Sequence, residues 1–231
     1  MKNRIVLSKG EIMEPSFSRF TSTAADQLQT AELIECYRQV FADAPWNEWL
    51  LCPVCGRYWG RQALSELTAM DFSHCGQLLV DYWSPRQVAL DLRHEITDET
   101  SCWLASAGSK VIGFCWGYEI SLPELEQKLD LEITSSLIER FGAARIGYQD
   151  EVGVINEWRR QGIGKQLVRR RLEDFLARGL DVGIVRTRAL PEPSVTYAWY
   201  LQLGYQVIKR YPAADGRVIL AGNLSVTRQS L

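Results

Sequence analysis

Residues 148–178 read YQDEVGVINEWRRQGIGKQLVRRRLEDFLAR, and how this stretch divides decides the fold. An apolar-rich run, Val152 to Ile155, ends in a basic turn that carries Gly162 and Gly164. Beyond the turn, Ile163, Leu167, Val168, Leu172, Phe175 and Leu176 recur at steps of three and four, which predicts a helix with one apolar face. A strand running through a glycine turn into a helix N-terminus is a site for phosphate. The first helical N–H groups lack intrahelical partners, and the helix dipole favours an anion there. Glycine lets the backbone approach that anion with no Cβ in the way. The turn, Arg159 to Gly164, is R-x-x-G-x-G. It matches neither the G-x-x-x-x-G-K-[ST] nucleotide loop nor the G-x-G-x-x-G dinucleotide fingerprint.

Around this stretch the chain is ordinary in composition. It has 231 residues, 46% hydrophobic and 23% charged, which suits one large domain or one domain with an insertion. A net charge of −2 gives no electrostatic footprint for nucleic acid. No apolar run is long enough to predict a membrane span, and MKNRIVLSKGEIMEPS holds too short an apolar run for a signal peptide. The six cysteines are therefore expected to be reduced thiols of a cytoplasmic protein.

Short strands are expected at Arg4–Leu7 and Phe17–Thr21. Asp26 is a candidate cap for a helix running to Phe41, with Leu28, Leu33, Ile34, Tyr37, Val40 and Phe41 as its stripe. Ser84-Pro85 opens a helix that runs to about Glu95. Cys102–Ala105 and Lys110–Ile120 read as a hairpin turning at Ala107-Gly108-Ser109. Residues 122–141 read as one polar helix, either a lid or a solvated peripheral element. Val182–Thr187, a short helix at Pro193–Leu203, and strands at Gly204–Arg210 and Val218–Ala221 complete the chain, with a turn at Ala214-Asp215-Gly216. Arg169-Arg170-Arg171, followed by Glu173 and Asp174, reads as a paired solvated face.

Between the first two helices lies Cys52-Pro53-Val54-Cys55-Gly56, a knuckle that presents two thiolates on a tight turn. His74-Cys75-Gly76 follows at a spacing usual between the two halves of a zinc site. Cys52, Cys55 and Cys75 are the expected ligands. His74 is first choice for the fourth, although neighbours seldom both face one metal, and Asp71, Asp81 or water are alternatives. Residues 50–82 are thus expected to be a small insertion stapled by structural Zn2+, since so short a segment cannot build its own core. Nothing in the cluster suggests a catalytic metal.

Tyr200-Leu201-Gln202-Leu203-Gly204-Tyr205 lies about forty residues beyond the glycine turn. That element, R-x-x-G-x-G, the preceding YQDEVGV and the VIGFCWGYEI strand together resemble, in order, the GNAT superfamily of N-acetyltransferases. The likeness covers most of residues 17–221, with 50–82 and 121–142 as extras. It implies a single α/β domain over 1–231 with the GNAT acyltransferase fold, a mixed central sheet flanked by helices, carrying the metal-stapled insertion and a helical one. It implies acetyl-CoA as cosubstrate, with the diphosphate held by Arg159, Arg160, Gln161, Gly162, Ile163, Gly164 and Lys165. The main chain of Val152 and Val154 would receive the thioester, and Tyr200 would protonate the leaving sulfur. A cofactor contact that the family makes through Asn falls here at Glu192-Pro193-Ser194, and so to Ser194 or to no residue. Phe41 to Trp46 resembles the family's F-x-x-x-P-W pattern, which implies that Trp46, Asn47 and Glu48 line the acceptor pocket; the alternative is a Trp plugging the core beside a turn.

A protonated amine costs about 4 kcal/mol to deprotonate at pH 7, so the site needs a base. Glu151 is first candidate and Asp150 second; strand alternation lets only one face the acceptor. Some family members carry a catalytic Glu where this chain has Tyr148. Glu48 and Glu119 are further carboxylates that would favour a cationic acceptor. The expected reaction is acetyl transfer to a primary amine of a small molecule or a protein by direct attack, in a monomer or a homodimer. The alternative is a non-catalytic acyl-CoA sensor whose zinc insert binds partners.

Overall fold

The computed structural model describes residues 14–21, 27–69 (the Ala69 side chain excepted), 72–142, 145–191, 193–212 and 215–230. The Arg4–Leu7 strand, the Asp26 cap, Asp71, Glu192 and Ala214 lie outside these.

Strand β1 (Ser16–Arg19) is followed by α1 (Gln27–Phe41), which buries Leu33, Cys36, Tyr37, Val40 and Phe41. A run of short pieces comes next: β2 (Leu50–Leu51), β3 (Tyr58–Trp59), α2 (Leu64–Ala69), β4 (Ser73–His74), β5 (Gln77–Leu78) and β6 (Val80–Asp81). They form two small sheets, β3-β2-β6 and β4-β5. Helix α3 (Pro85–Glu95) starts at Ser84, whose hydroxyl accepts from Gln87 N–H at 3.2 Å. The hairpin is β7 (Ser101–Ala107) and β8 (Lys110–Glu119).

Residues 122–141 form two helices, not one. Helix α4 (Leu122–Leu129) carries a capping box between Ser121 and Glu124, and ends at Asp130 in the left-handed region. The Glu126 carboxylate then accepts from the N–H groups of Ile133 and Thr134 and starts α5 (Thr134–Phe141). A side chain inside the first helix caps the second, so the chain folds back there. Strand β9 (Ile146–Val154), α6 (Ile163–Ala177), β10 (Val182–Arg188), α7 (Val195–Gln202), β11 (Gln206–Arg210), β12 (Arg217–Asn223) and α8 (Leu224–Ser230) follow.

The main sheet runs β1-β7-β8-β9-β10-β12-β11. Only β9 and β10 pair in parallel; the other neighbours are antiparallel. Alternation along β8 shows how the layers are built. Phe114 and Trp116 stack against Tyr37 of α1. The intervening Cys115 thiol reaches the Leu167 carbonyl of α6, and a Cβ at Gly117 would strike Phe175 of the same helix. Helices α1 and α6 therefore cover opposite faces, and α3 packs on α1. The Tyr37–Phe114–Trp116 stack adds about 0.5–1.5 kcal/mol per ring pair beyond the area it buries. The result is a mixed, mostly antiparallel sheet between helical layers. No helix among the described residues is long and apolar enough to cross a membrane.

Candidate active site

Two irregularities in β9 make the site. First, β9 pairs with β10 only over Ile146–Tyr148, opposite Val182–Ile184, and the two strands then part. Second, the β8–β9 register slips: Tyr118 faces Tyr148, but Trp116 faces Glu151. One extra residue therefore sits in β9 between Tyr148 and Glu151. Such a bulge cancels the period-two alternation locally.

The bulge corrects the expectation that Asp150 and Glu151 point to opposite faces. Both line one cavity of about 540 Å³, on the side of the sheet that holds Tyr37 and Trp116. Asp150 accepts from the Tyr118 hydroxyl at 2.9 Å and pairs with Lys128 at 2.9 Å. Lys128 also reaches Glu95 at 3.4 Å, and Glu95 accepts from the Trp116 indole at 3.0 Å. Among the described residues the Glu151 carboxylate has no hydrogen bond or ion pair. Burial, then the charges of Asp150 and Glu95, push its pKa well above the usual carboxylate range. Burial likewise raises Glu48, which lines the same cavity and accepts from the Trp83 indole at 2.9 Å.

A second cavity, of about 550 Å³, opens at the glycine turn. Arg160 and Gly162 both take positive φ, 60° and 80°, and α6 begins at once. The first intrahelical bond there runs from Gln166 N–H to Gly162, so the N–H groups of Ile163, Gly164 and Lys165 face outward, and no side chain caps the helix. Only Gly162 is demanded by the backbone; a Cβ on Gly164 would meet nothing closer than Val154 at 3.7 Å. Arg159, Arg160, Gly162, Ile163, Gly164, Lys165 and Ser194 line this cavity. The Gln161 side chain does not line it; its amide donates to the Glu157 carbonyl. Arg159 donates from Nε to the Val154 carbonyl at 2.8 Å. Ser194 caps α7 and shares a hydrogen bond with Thr187.

The cavities meet: Trp46, Val152 and Thr196 line both. Ile155 N–H donates to Ile112 of β8 at 3.0 Å, so alternation turns the main-chain groups of Val152 and Val154 away from β8 and into the gap beside β10.

Three further residues expected at the site are elsewhere. Tyr200 is fully buried and lines neither cavity, because its hydroxyl accepts from Arg171 at 2.9 Å and donates to Gln149 at 3.0 Å. Asn47 is a left-handed turn residue whose side-chain oxygen accepts from Gln62. Glu119, at the end of β8, is bound in a two-pronged pair by Arg145 at 2.8 Å and lines a separate cavity with His94 and Arg178.

Arg171, expected on a solvated face, is fully buried instead. It donates from Nη1 to the Trp116 and Glu151 carbonyls, both at 2.8 Å, and from Nη2 to Gln149 at 2.8 Å and Tyr200. These four bonds straddle the bulge and hold it. All four partners are neutral, so a desolvated charge is offset by dipoles alone. Arg171→Met removes the side-chain donor that the Trp116 and Glu151 carbonyls share in the core. It is expected to cost about 3–5 kcal/mol, read as a fall in thermal midpoint, and an unchanged midpoint would refute the clamp. The sequence signal for Arg171 was its place in the α6 stripe, next to Val168, Leu172 and Phe175. Lys128, Glu95, Gln149, Arg186 and Arg188 are further cavity residues that the sequence reading did not select.

Away from the sheet, Cys52, Cys55, His74 and Cys75 converge, with their donor atoms all within 4.8 Å of one another. His74 Nδ1 lies 3.5 Å from Cys55 Sγ and 3.2 Å from Cys75 Sγ. Adjacent residues can both face one point here because Cys75 takes φ 51°, which swings its side chain back beside His74. Asp81 is not part of the cluster and pairs with Arg38 at 3.1 Å. Three thiols and an imidazole at these separations fit a tetrahedral ion with all positions filled by protein.

Residues 98–207 match the family model described as the acetyltransferase (GNAT) domain. Comparison with curated proteins finds no significant sequence match. Solved structures are similar in fold at low identity. The PaiA N-acetyltransferase of Thermoplasma acidophilum, solved with coenzyme A, is 13% identical with a TM-score of 0.53, over 91% of this chain and 99% of that one. Ard1 from Thermoplasma volcanium is 13% identical with a TM-score of 0.50, over 90% and 97%. An aminoglycoside 6′-acetyltransferase of type Ii is 14% identical with a TM-score of 0.51, again over 90% and 97%.

Proposed function

We propose that the chain is an acetyl-CoA-dependent acyltransferase, as the match of residues 98–207 to the acetyltransferase (GNAT) domain model supports, and that it acetylates a primary amine of a small molecule or protein by direct attack. The observation that carries this reading is the meeting of the two cavities at Val152, one at a bare helix N-terminus and one lined by carboxylates. The diphosphate of acetyl-CoA rests on the outward N–H groups of Ile163, Gly164 and Lys165, with Arg159 and Arg160 beside them. The thioester then reaches the gap between β9 and β10, where the Val152 and Val154 main chains supply a donor for the oxyanion. The amine enters from the carboxylate side. Glu151 takes its proton; Asp150, tied to Lys128 and Tyr118, is the weaker base. Tyr200 acts in this reading by ordering Arg171 and Gln149, not by touching sulfur.

Cys52, Cys55, His74 and Cys75 would hold a structural zinc that closes residues 50–82 into an insertion. Its chemistry is cross-linking alone, since four protein ligands leave no position for substrate. Residues 121–142 are a second insertion, and reduced thiols at the cluster suit a cytoplasmic protein.

The test is calorimetry with acetyl-CoA, followed by thiol release across a panel of amines. Binding, together with coenzyme A release that depends on an added amine, is the expected result. Binding with no release from any amine or amino-terminal peptide would replace this reading with that of an acyl-CoA sensor.

A further inference from the structure

The cavity beside Glu151 is lined by groups of both signs. Several of these groups are already paired with one another. Lys128 holds Asp150 and Glu95, and Arg217 holds Asp215. Outside those pairs are three carboxyl groups, Glu151 on β9, Glu48 after α1 and Asp91 on α3 (which accepts from Gln87), and two guanidinium groups, Arg186 and Arg188 on β10. Arg186 and Arg188 are two apart on one strand, so they project on the same side. Neither has a carboxylate within ion-pair distance among the described residues. Arg188 lies over the Trp46 ring at 5.4 Å, and its Nε is buried without a hydrogen-bond partner. Among the described residues the Glu151 carboxylate is equally without a hydrogen-bond partner.

Unpaired buried charges are costly, and evolution or folding usually removes them by pairing. Here Glu151 and Glu48 share one cavity with Arg186 and Arg188 and make no ion pair with them. Such an arrangement is complementary to a ligand that carries both signs itself. Tyr37, Trp46, Trp83 and Trp116 line the same cavity and would cover the apolar part of that ligand. At about 540 Å³ the cavity has the size of a small-molecule site.

We propose that the acceptor is a small zwitterion, an amine bearing a carboxylate a few bonds away, with its nitrogen at Glu151 and its carboxylate on Arg186 and Arg188. The proposal rests on the acetyltransferase reading above and narrows its acceptor. Planar guanidinium forks match a carboxylate with two parallel bonds, which a simple diamine cannot use. A diamine would instead bring its second cation to the arginines. No new chemical step is involved: the ammonium gives one proton to the base, the freed nitrogen bonds to the acetyl carbon, the carbon–sulfur bond breaks with its electron pair leaving on the coenzyme A thiolate, and the second nitrogen proton ends on that sulfur.

The test compares free amino acids with their decarboxylated amines, for example lysine with cadaverine, by coenzyme A release. The expected result is a kcat/KM at least about a hundredfold higher for the amino acid of a used pair. Arg186→Gln and Arg188→Gln should each collapse that ratio toward unity, mainly by raising KM for the amino acid. Calorimetry with acetyl-CoA and thermal denaturation establish that each variant is folded; if one is not, the wild-type ratio decides alone. Equal use of amino acid and amine would overturn the proposal, as would preference for amino-terminal peptides over free amino acids. Release from no acceptor, with acetyl-CoA bound normally, is a different failure, because it removes the acetyltransferase reading itself.

Discussion

Glu151→Gln is expected to lower kcat by about 10²- to 10³-fold while acetyl-CoA still binds. The substitution keeps size and removes only the ability to take a proton. The wild-type carboxyl is pushed up by burial, and then by Asp150 and Glu95. A base must be ionised, so kcat should rise with pH through that raised value, not in the ordinary carboxylate range, and the variant should lose this limb. Stability moves the other way. A carboxyl that binds its proton more tightly folded than unfolded contributes stability at low pH. That contribution disappears as pH rises through the folded value. Glutamine stays neutral, so the variant should lose that part of the pH dependence in denaturant melts. A variant within threefold of wild type, with an unchanged pH profile, would move the role of base to Asp150 or a water.

Metal removal should have an effect of similar size on a different property. Residues 50–81 contain strands of only two residues, and their buried set is Leu50, Cys52, Trp59 and Leu67. So small a core cannot offset the entropy of ordering the segment. Structural zinc sites of this kind supply on the order of 10–16 kcal/mol. A strong chelator is therefore expected to release one zinc per chain and to abolish hydrogen-exchange protection across 50–82. The same should follow from Cys52→Ser. The cavity proposed for the acceptor is coupled to this segment, because Trp46, Glu48, Tyr82 and Trp83 line it and flank the knuckle at both ends. KM for the acceptor should thus rise while affinity for acetyl-CoA, held at the far cavity, changes little. A metal-free protein with the same protection pattern would contradict the staple.

The parts of this architecture that were legible in the sequence are those set by local chemistry. The α6 stripe, the Ser84-Pro85 start, the β7–β8 hairpin and the glycine turn each follow from a few adjacent residues. The cysteine spacing likewise brought four donors together, although only the φ of Cys75 explains how His74 joins them. What could not be read depends on register between distant strands. The β9 bulge is a property of how β8 meets β9, and it alone places Asp150 and Glu151 in one cavity. Arg171 was hidden by its neighbours: Arg169 and Arg170 are exposed enough to suggest a charged face, and one residue further the helix has turned inward. Tyr200 sits in the expected element, yet the network around Arg171 and Gln149 takes up its hydroxyl. Arg186 and Arg188 did leave a signal, two charges at alternate positions in the otherwise apolar GIVRTR.

The parting of β9 from β10 has a further meaning for solubility. A strand whose N–H and C=O groups lack a neighbour is normally a liability, since any extended chain can pair with it. In this protein the unpaired stretches face each other inside the sheet, with β8 guarding one flank and β12 the other. The opening therefore lies within the sheet and not along its rim. The sheet is thus left unfinished at its centre, where neighbouring strands flank the gap, and not at an exposed edge, where an added strand would start aggregation.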